Sequence, residues 1–437
     1  MGARETALTA LITCRKEEAW SNAALKEYIR RDHLDRREAA LATRLCYGVL
    51  QNRMLLDYYL TQLLTGKLKD LHPAVRDILH LGLYQLYFMD KIPVSAAVNE
   101  SVALAKKYCK KLSSAPGLVN GVLRSADRQK DSLTQPKGYC EKYSHPQALI
   151  DLLKADVGKD KLEKMLIANN STPETVVQVN TLKTDTDTLQ VRLLNEGVKA
   201  EKHSWMPDCL VLSGTGDLEE LESFREGHFY VQDPAAKLSV LCAQIPENAC
   251  VLDCCSAPGG KSFAAAMTLR GTGSIVSCDI HDHKVPLIQK GAERLGITNL
   301  TAVQQDASVF CSQWEKQMDV VIADVPCSGY GIIRKKPDIR YKAPSTMEQL
   351  PMLQLAILEN QARYVKPGGV LLYSTCTLLK RENEGVVEAF LKENTEFTLE
   401  SLSLPAVFPE NTTGMLTLVP GEYETDGFFI CRLRRAL

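Results

Sequence analysis

The sequence predicts a multidomain protein with an all-α domain over residues 1–142, a small α+β linker domain over 143–230 and an α/β domain built on a doubly wound parallel sheet over 231–437. Three observations carry that reading. The chain has 437 residues, and at roughly 150 residues per domain that length divides into about three cores. The first 130 residues are rich in Ala, Leu, Arg and Glu with apolar positions at helical spacing. From residue 231 onward the pattern becomes strand, glycine turn and helix, repeated.

Hydrophobic residues make up 45%, charged residues 24%, and the mean hydropathy is −0.14, the balance of a globular chain. No apolar run approaches the roughly 18 residues needed to span a bilayer. The N-terminus meets charge at Arg4 and Glu5 before any signal-like apolar stretch, so the expectation is a cytoplasmic protein without a membrane partner. Fourteen cysteines are scattered without a Cys-x-x-Cys pair, which argues against structural zinc and a disulfide framework; no metal is expected. The formal charge of −1 conceals an asymmetry. Residues 1–142 hold 23 Lys+Arg against 15 Asp+Glu, whereas residues 143–230 hold 9 against 15 and residues 231–437 hold 20 against 23. A basic front end hints at a nucleic-acid partner.

In the front domain, Val75, Ile78, Leu79, Gly82, Leu83 and Leu86 mark one helix face, with Pro73 near its start and Pro93 after its end. The next helix takes Ser95 as its N-cap, and Gly117–Arg124 forms another. Residues 131–146 are polar, with Pro136, Gly138 and Pro146, and read as a linker. Beyond them come a helix over Leu149–Ala168 and short β-like runs at Thr175–Asn180 and Leu210–Leu212. The α/β region offers five strands, Cys250–Asp253, Gly273–Asp279, Leu300–Asp306, Met318–Asp324 and Gly369–Cys376. Four end in Asp and one in Cys, and in this architecture ligands bind at the carboxyl ends of the strands.

Asp253-Cys-Cys-Ser-Ala-Pro-Gly-Gly-Lys261 forms the first strand-to-helix turn and lacks the Gly-x-Gly-x-x-Gly of dinucleotide enzymes. It is not a P-loop either, because Cys255 stands where the upstream glycine is required. Gly259 and Gly260 allow a ligand to approach backbone. Asp253 suits an ammonium group, Asp279 two ribose hydroxyls and Asp306 an adenine amine, which together describe S-adenosylmethionine as the cofactor.

Asp253-x-Cys-x-Ala-Pro-Gly-Gly-Lys261, Asp324-Val-Pro-Cys-Ser-Gly329 and Ser374-Thr-Cys-Thr377 resemble the signature motifs of the RNA 5-methylcytosine methyltransferases. Val94-Ser-Ala-Ala-Val-Asn-Glu100 and Gly117-Leu-Val-Asn-Gly-Val-Leu-Arg124 resemble the NusB-like RNA-binding domain, which points to the bacterial 16S ribosomal RNA branch, the RsmB (Sun/Fmu) type. The resemblance spans nearly the whole chain and implies a Rossmann-like class I methyltransferase domain acting on small-subunit ribosomal RNA; nothing in the sequence suggests an obligate protein partner. Ser256 departs from the family, which usually has Ala there.

Carbon 5 of cytosine is a poor nucleophile until a thiolate adds to carbon 6. The resemblance implies Cys376 as that thiolate, Cys327 as the residue that assists release, and Asp324 as the group that hydrogen-bonds the cytosine ring. It also places Lys261 with the reactive groups and Cys255, Ser256, Ala257, Pro258, Gly259, Gly260, Lys261 and Asp324 with the cofactor, beside Asp253, Asp279 and Asp306. Arg334, Lys335, Lys336, Arg340 and Lys342 follow the second motif and are expected to contact RNA phosphates. A non-catalytic RNA-binding or antitermination factor is opposed by the intact Cys327, Cys376 and Asp324, and a nicotinamide oxidoreductase by the missing glycine fingerprint.

Overall fold

The structure, a computed structural model, describes residues 1–17 and 21–437. It separates into two compact units. One comprises residues 1–152, 169–171 and 333–342, and the other residues 153–168, 172–332 and 343–437.

The first unit is helical, with α1 (Ala3–Glu17), α2 (Ser21–Arg31), α3 (Arg36–Leu63), α4 (Pro73–Phe88), α5 (Val94–Tyr108), α6 (Ala115–Arg128) and α7 (Tyr139–Tyr143). The start of α3 is fixed by Asp35, whose side chain accepts the Glu38 N–H at 2.8 Å and satisfies a donor that the helix itself cannot. The periodicity of α4 is realised: Val75, Ile78, Leu79 and Leu83 are buried in one apolar core with Leu45, Leu60, Val98 and Leu123. Ser95 is not an N-cap. The Pro93 carbonyl accepts from Ala96 and Ala97, so the N-cap lies two residues earlier, at Pro93, and α5 begins at Val94. The stretch expected to be a linker also differs. It contains α7, and Oγ of Ser144 accepts the backbone N–H groups of Met54 and Leu55 in α3.

The helix expected over Leu149–Ala168 is two helices, α8 (Gln147–Val157) and α9 (Lys159–Asn170), because Gly158 adopts a φ of +89° that an α-helix cannot contain. In the second unit a small antiparallel sheet follows, built from β1 (Thr175–Val179), β2 (Lys199–Lys202), β3 (Cys209–Ser213) and β4 (Phe229–Val231) in the order β2-β3-β1-β4. Helix α10 (Thr186–Asn195) covers it through Leu189 and Leu193, and α11 (Glu222–Arg225) precedes β4.

The large sheet contains β5 (Cys250–Asp253), β6 (Ser274–Asp279), β7 (Leu300–Gln304), β8 (Met318–Asp324), β9 (Val365–Thr375), β10 (Phe397–Leu399), β11 (Met415–Leu418) and β12 (Phe428–Arg435). Its order is β10-β12-β9-β8-β5-β6-β7, with β11 paired to β12. The five expected strands are parallel, as read from their apolar runs, but the sheet is mixed: β12 returns antiparallel to β9 and carries β10 and β11. Residues alternate between its faces. Val251, Val320, Ile322 and Leu372 pack under α12 (Pro234–Cys242), α13 (Gly260–Leu269) and α14 (Val285–Leu295). Leu252, Val321, Ala323 and Leu371 face α15 (Leu350–Ala362) and α16 (Glu384–Glu393). The chain order reverses between β5 and β8, and such a switch point opens a crevice at the strand ends.

Candidate active site

Strand β5 delivers Asp253 to that crevice, and the chain turns into α13 through Gly259. Gly259 has a φ of +112°, and a Cβ there would sit 2.4 Å from the Phe263 ring, so the turn is closed to any other residue. A cleft of about 180 Å³ lies against it, lined by Asp253, Cys255, Ser256, Ala257, Pro258, Gly260, Lys261 and Asp324, together with Val231, Gln232 and Ala236. A larger open depression of about 610 Å³ lies on α10 and contains no motif residue; its Arg192 is engaged by Glu196, Glu222 and Glu226.

Asp253 is fully buried. Oγ of Ser262 donates to its Oδ2 at 2.7 Å and Oγ of Ser277 donates onward to Ser262, while Oδ1 has no partner among the described residues. Burial pushes this carboxyl up to about 7. An unpartnered acceptor in the wall of a cleft fits an ammonium donor. The amino-acid end of S-adenosylmethionine would sit here, with its carboxylate served by the N-terminal N–H groups of α13. Asp279 ends β6, beside β5, and its Oδ1 accepts the His281 N–H at 2.9 Å. Asp306 stands two residues beyond the end of β7, and its Oδ1 accepts the backbone N–H and the hydroxyl of Ser308. Neither Asp279 nor Asp306 lines the 180 Å³ cleft, and neither does Gly259.

The reactive groups come from β8 and β9. Asp324 ends β8, its Oδ2 lying 2.7 Å from Nζ of Lys261 and its Oδ1 accepting from Oγ of Ser374 at 2.8 Å. Lys261 is not a surface lysine: its ammonium also sits 5.0 Å from the centre of the Phe428 ring. Cys376 lies one residue beyond β9, and its sulfur is 3.2 Å from that of Cys327, both residues being half-buried. The Cys327 thiol is pushed well up, first by its hydrogen bond to Cys376, then by burial and by the negative charge of Glu382 and Asp324. Cys254, beside the turn, is buried against Cys255 and its pKa is likewise raised well above the ordinary thiol range, which suits packing.

The basic run does not behave as one group. Arg340 is buried, donating to the carbonyls of Gln51 and Asn169 and to Oδ1 of Asn170 within the helical unit, so it is withdrawn from RNA phosphates. Lys336 is exposed. Sequence reasoning missed Val231, Gln232 and Ala236 at the cleft, as well as Gln354, Glu382 and Asn383 behind the sulfurs. None of them stands in a glycine turn or at the end of a parallel strand, so the available signal was silent.

Comparison with known proteins gives the family. Residues 240–434 match the family described as 16S rRNA methyltransferase RsmB/F, residues 1–128 the NusB family, and residues 145–219 the ferredoxin-like domain of RsmF/B-like methyltransferases. The chain is 37% identical to the probable ribosomal RNA small subunit methyltransferase B of Bacillus subtilis (strain 168), over 99% of this chain and 98% of that protein. It is 32% identical to the probable ribosomal RNA small subunit methyltransferase B of Synechocystis sp., over the full length of both. Among solved structures, that of PH0851 matches with a TM-score of 0.81 at 25% identity, covering 100% of this chain and 99% of that one. NSun6 from Pyrococcus horikoshii, solved with SFG, matches with a TM-score of 0.59 at 21% identity over 67% of this chain and 98% of that one, and shows the shared fold. With relatives 32% and 37% identical along its whole length and a match to the 16S rRNA methyltransferase RsmB/F model, the chain belongs to the RsmB family of small-subunit ribosomal RNA methyltransferases.

Proposed function

We propose that the protein methylates carbon 5 of a cytosine in 16S ribosomal RNA through a covalent bond between Cys376 and carbon 6. The observation that carries this reading is the pair of sulfurs 3.2 Å apart, that of Cys327 three residues beyond the Asp324 that lines the cleft and that of Cys376 just past the neighbouring strand β9. S-adenosylmethionine is the cofactor and supplies an electrophilic methyl group on sulfur.

The Cys376 thiolate adds to carbon 6, and the displaced π electrons make carbon 5 nucleophilic. Asp324, anchored by Lys261 and Ser374, hydrogen-bonds the ring edge and stabilises the protonated pyrimidine during addition. After methyl transfer a base takes the carbon 5 proton and keeps it, with Cys327 assisting release. The bonding electrons of that proton restore the double bond between carbons 5 and 6, and Cys376 leaves as thiolate. The target base enters a recess that a stacked nucleotide cannot reach, so it must leave its helix. The basic helical unit supplies phosphate contacts, and the reaction belongs in the cytoplasm, where the fourteen cysteines remain as free thiols.

The test is incubation with unmethylated 16S RNA and labelled S-adenosylmethionine, followed by nucleoside mass spectrometry. The expected product is 5-methylcytosine, absent with Cys376→Ala. A label on any other atom, or full activity of that variant, contradicts the reading.

A further inference from the structure

Each sulfur sits on a loop, and each loop is tied down from both sides. Next to Cys327, the Pro326 carbonyl accepts from Nε2 of Gln354 at 2.9 Å and the Ser328 N–H donates to Oε2 of Glu382 at 2.9 Å. Gln354 donates to the same Glu382 oxygen at 2.9 Å, which closes the ring. Next to Cys376, the Thr375 hydroxyl donates to Oδ1 of Asn383 at 2.6 Å, and Nδ2 of Asn383 donates to the Thr377 carbonyl at 3.1 Å. The Ser328 and Thr377 hydroxyls, 2.7 Å apart, join the two loops directly.

Glu382, Asn383 and Gln354 are all buried. A buried carboxylate whose partners are a backbone N–H and an amide, rather than a cation, costs the fold stability that an apolar side chain would not. What it contributes is geometry. Glu382 and Asn383 are consecutive, so one short piece of backbone is bonded to both loops. Chemistry of this kind is sensitive to placement, since an error of about 1 Å can cost on the order of a hundredfold in rate.

We infer that Glu382 and Asn383 are positioning residues that divide the reaction between them, Glu382 holding Cys327 for the release step and Asn383 holding Cys376 for addition. This inference rests on the thiol roles proposed above and extends them to residues that touch neither substrate nor cofactor.

The experiment follows the covalent protein–RNA adduct with time on denaturing gels, using full-length protein, unmethylated 16S RNA and labelled S-adenosylmethionine. Glu382→Asp keeps the charge but shortens the reach to Ser328. It is expected to form the adduct within about threefold of the wild-type rate and to resolve it about tenfold more slowly, so that adduct accumulates. Glu382→Gln keeps the reach and an accepting oxygen, and is expected to resolve the adduct at close to the wild-type rate. Asn383→Ala is expected to slow formation about tenfold without accumulation. The reverse ranking of the two Glu382 variants, or equal slowing of formation and resolution, overturns the inference. Cys327→Ala is the control. If it accumulates adduct while Glu382→Asp behaves as wild type, only this inference fails; if it accumulates none, the thiol assignment fails and takes this inference with it.

Discussion

The turn Asp253–Lys261 and the segment Arg334–Lys342 both lie downstream of a buried parallel strand, and both bring cations close to a signature motif. In the turn, the cation joins the site: Lys261 pairs with Asp324 at the cleft. In the segment, Arg340 is turned to other use. The chain contributes residues 333–342 to the helical unit, where Arg340 donates to carbonyls and Tyr341 donates its hydroxyl to the Leu50 carbonyl in α3. Proximity along the sequence is therefore a poor guide to the role of a charged residue; what decides it is whether tertiary packing leaves the charge facing ligand or surrounds it with backbone acceptors.

The contrast can be broken at its strongest point first. Arg340→Ala leaves several buried carbonyls without a donor and a cavity the size of a long side chain, so the expected loss is about 3 kcal/mol or more. The measurement is a thermal or urea unfolding midpoint, and an unchanged midpoint would return Arg340 to the surface. Gly259→Ala, which forces a Cβ against Phe263 at positive φ, is expected to cost about 1–3 kcal/mol and to weaken S-adenosylmethionine binding in calorimetry.

Asp253 gives a pH test. Its carboxyl is raised to about 7 by burial, and only the charged form attracts an ammonium group. Affinity for S-adenosylmethionine should therefore climb by up to about tenfold per pH unit below 7 and level off above it, as the cost of removing the proton disappears. Asp253→Asn should bind more weakly and flatten that profile. The smallest effect belongs to Lys336→Ala. This exposed side chain should lower RNA affinity only a few-fold and the salt slope by about 1, with no change in the unfolding midpoint.

Much of this was legible in the sequence because the signals were local. A strand ending in Asp, a glycine turn and a helix start within a dozen residues announce the cleft, and the cysteines of the second and third motifs follow two adjacent parallel strands. The mixed character of the sheet was not legible, since the apolar run of β12 is the same whether it pairs parallel or antiparallel with β9. Nor was β2, whose Lys-Ala-Glu-Lys composition reads as surface. Glu382 and Arg340 were hidden for one reason: each stands in a charged stretch, Lys380-Arg-Glu-Asn-Glu384 and Arg334–Lys342, that looks solvated until distant elements close over it.

The central claim is that Cys376 bonds to the base and Cys327 lets it go. Its most direct test is peptide mapping of the species formed when Cys327→Ala is mixed with unmethylated 16S RNA and S-adenosylmethionine. The expected result is a stable adduct attached to the peptide that contains Cys376. A stable adduct on any other residue, or rapid turnover without an adduct, would contradict it.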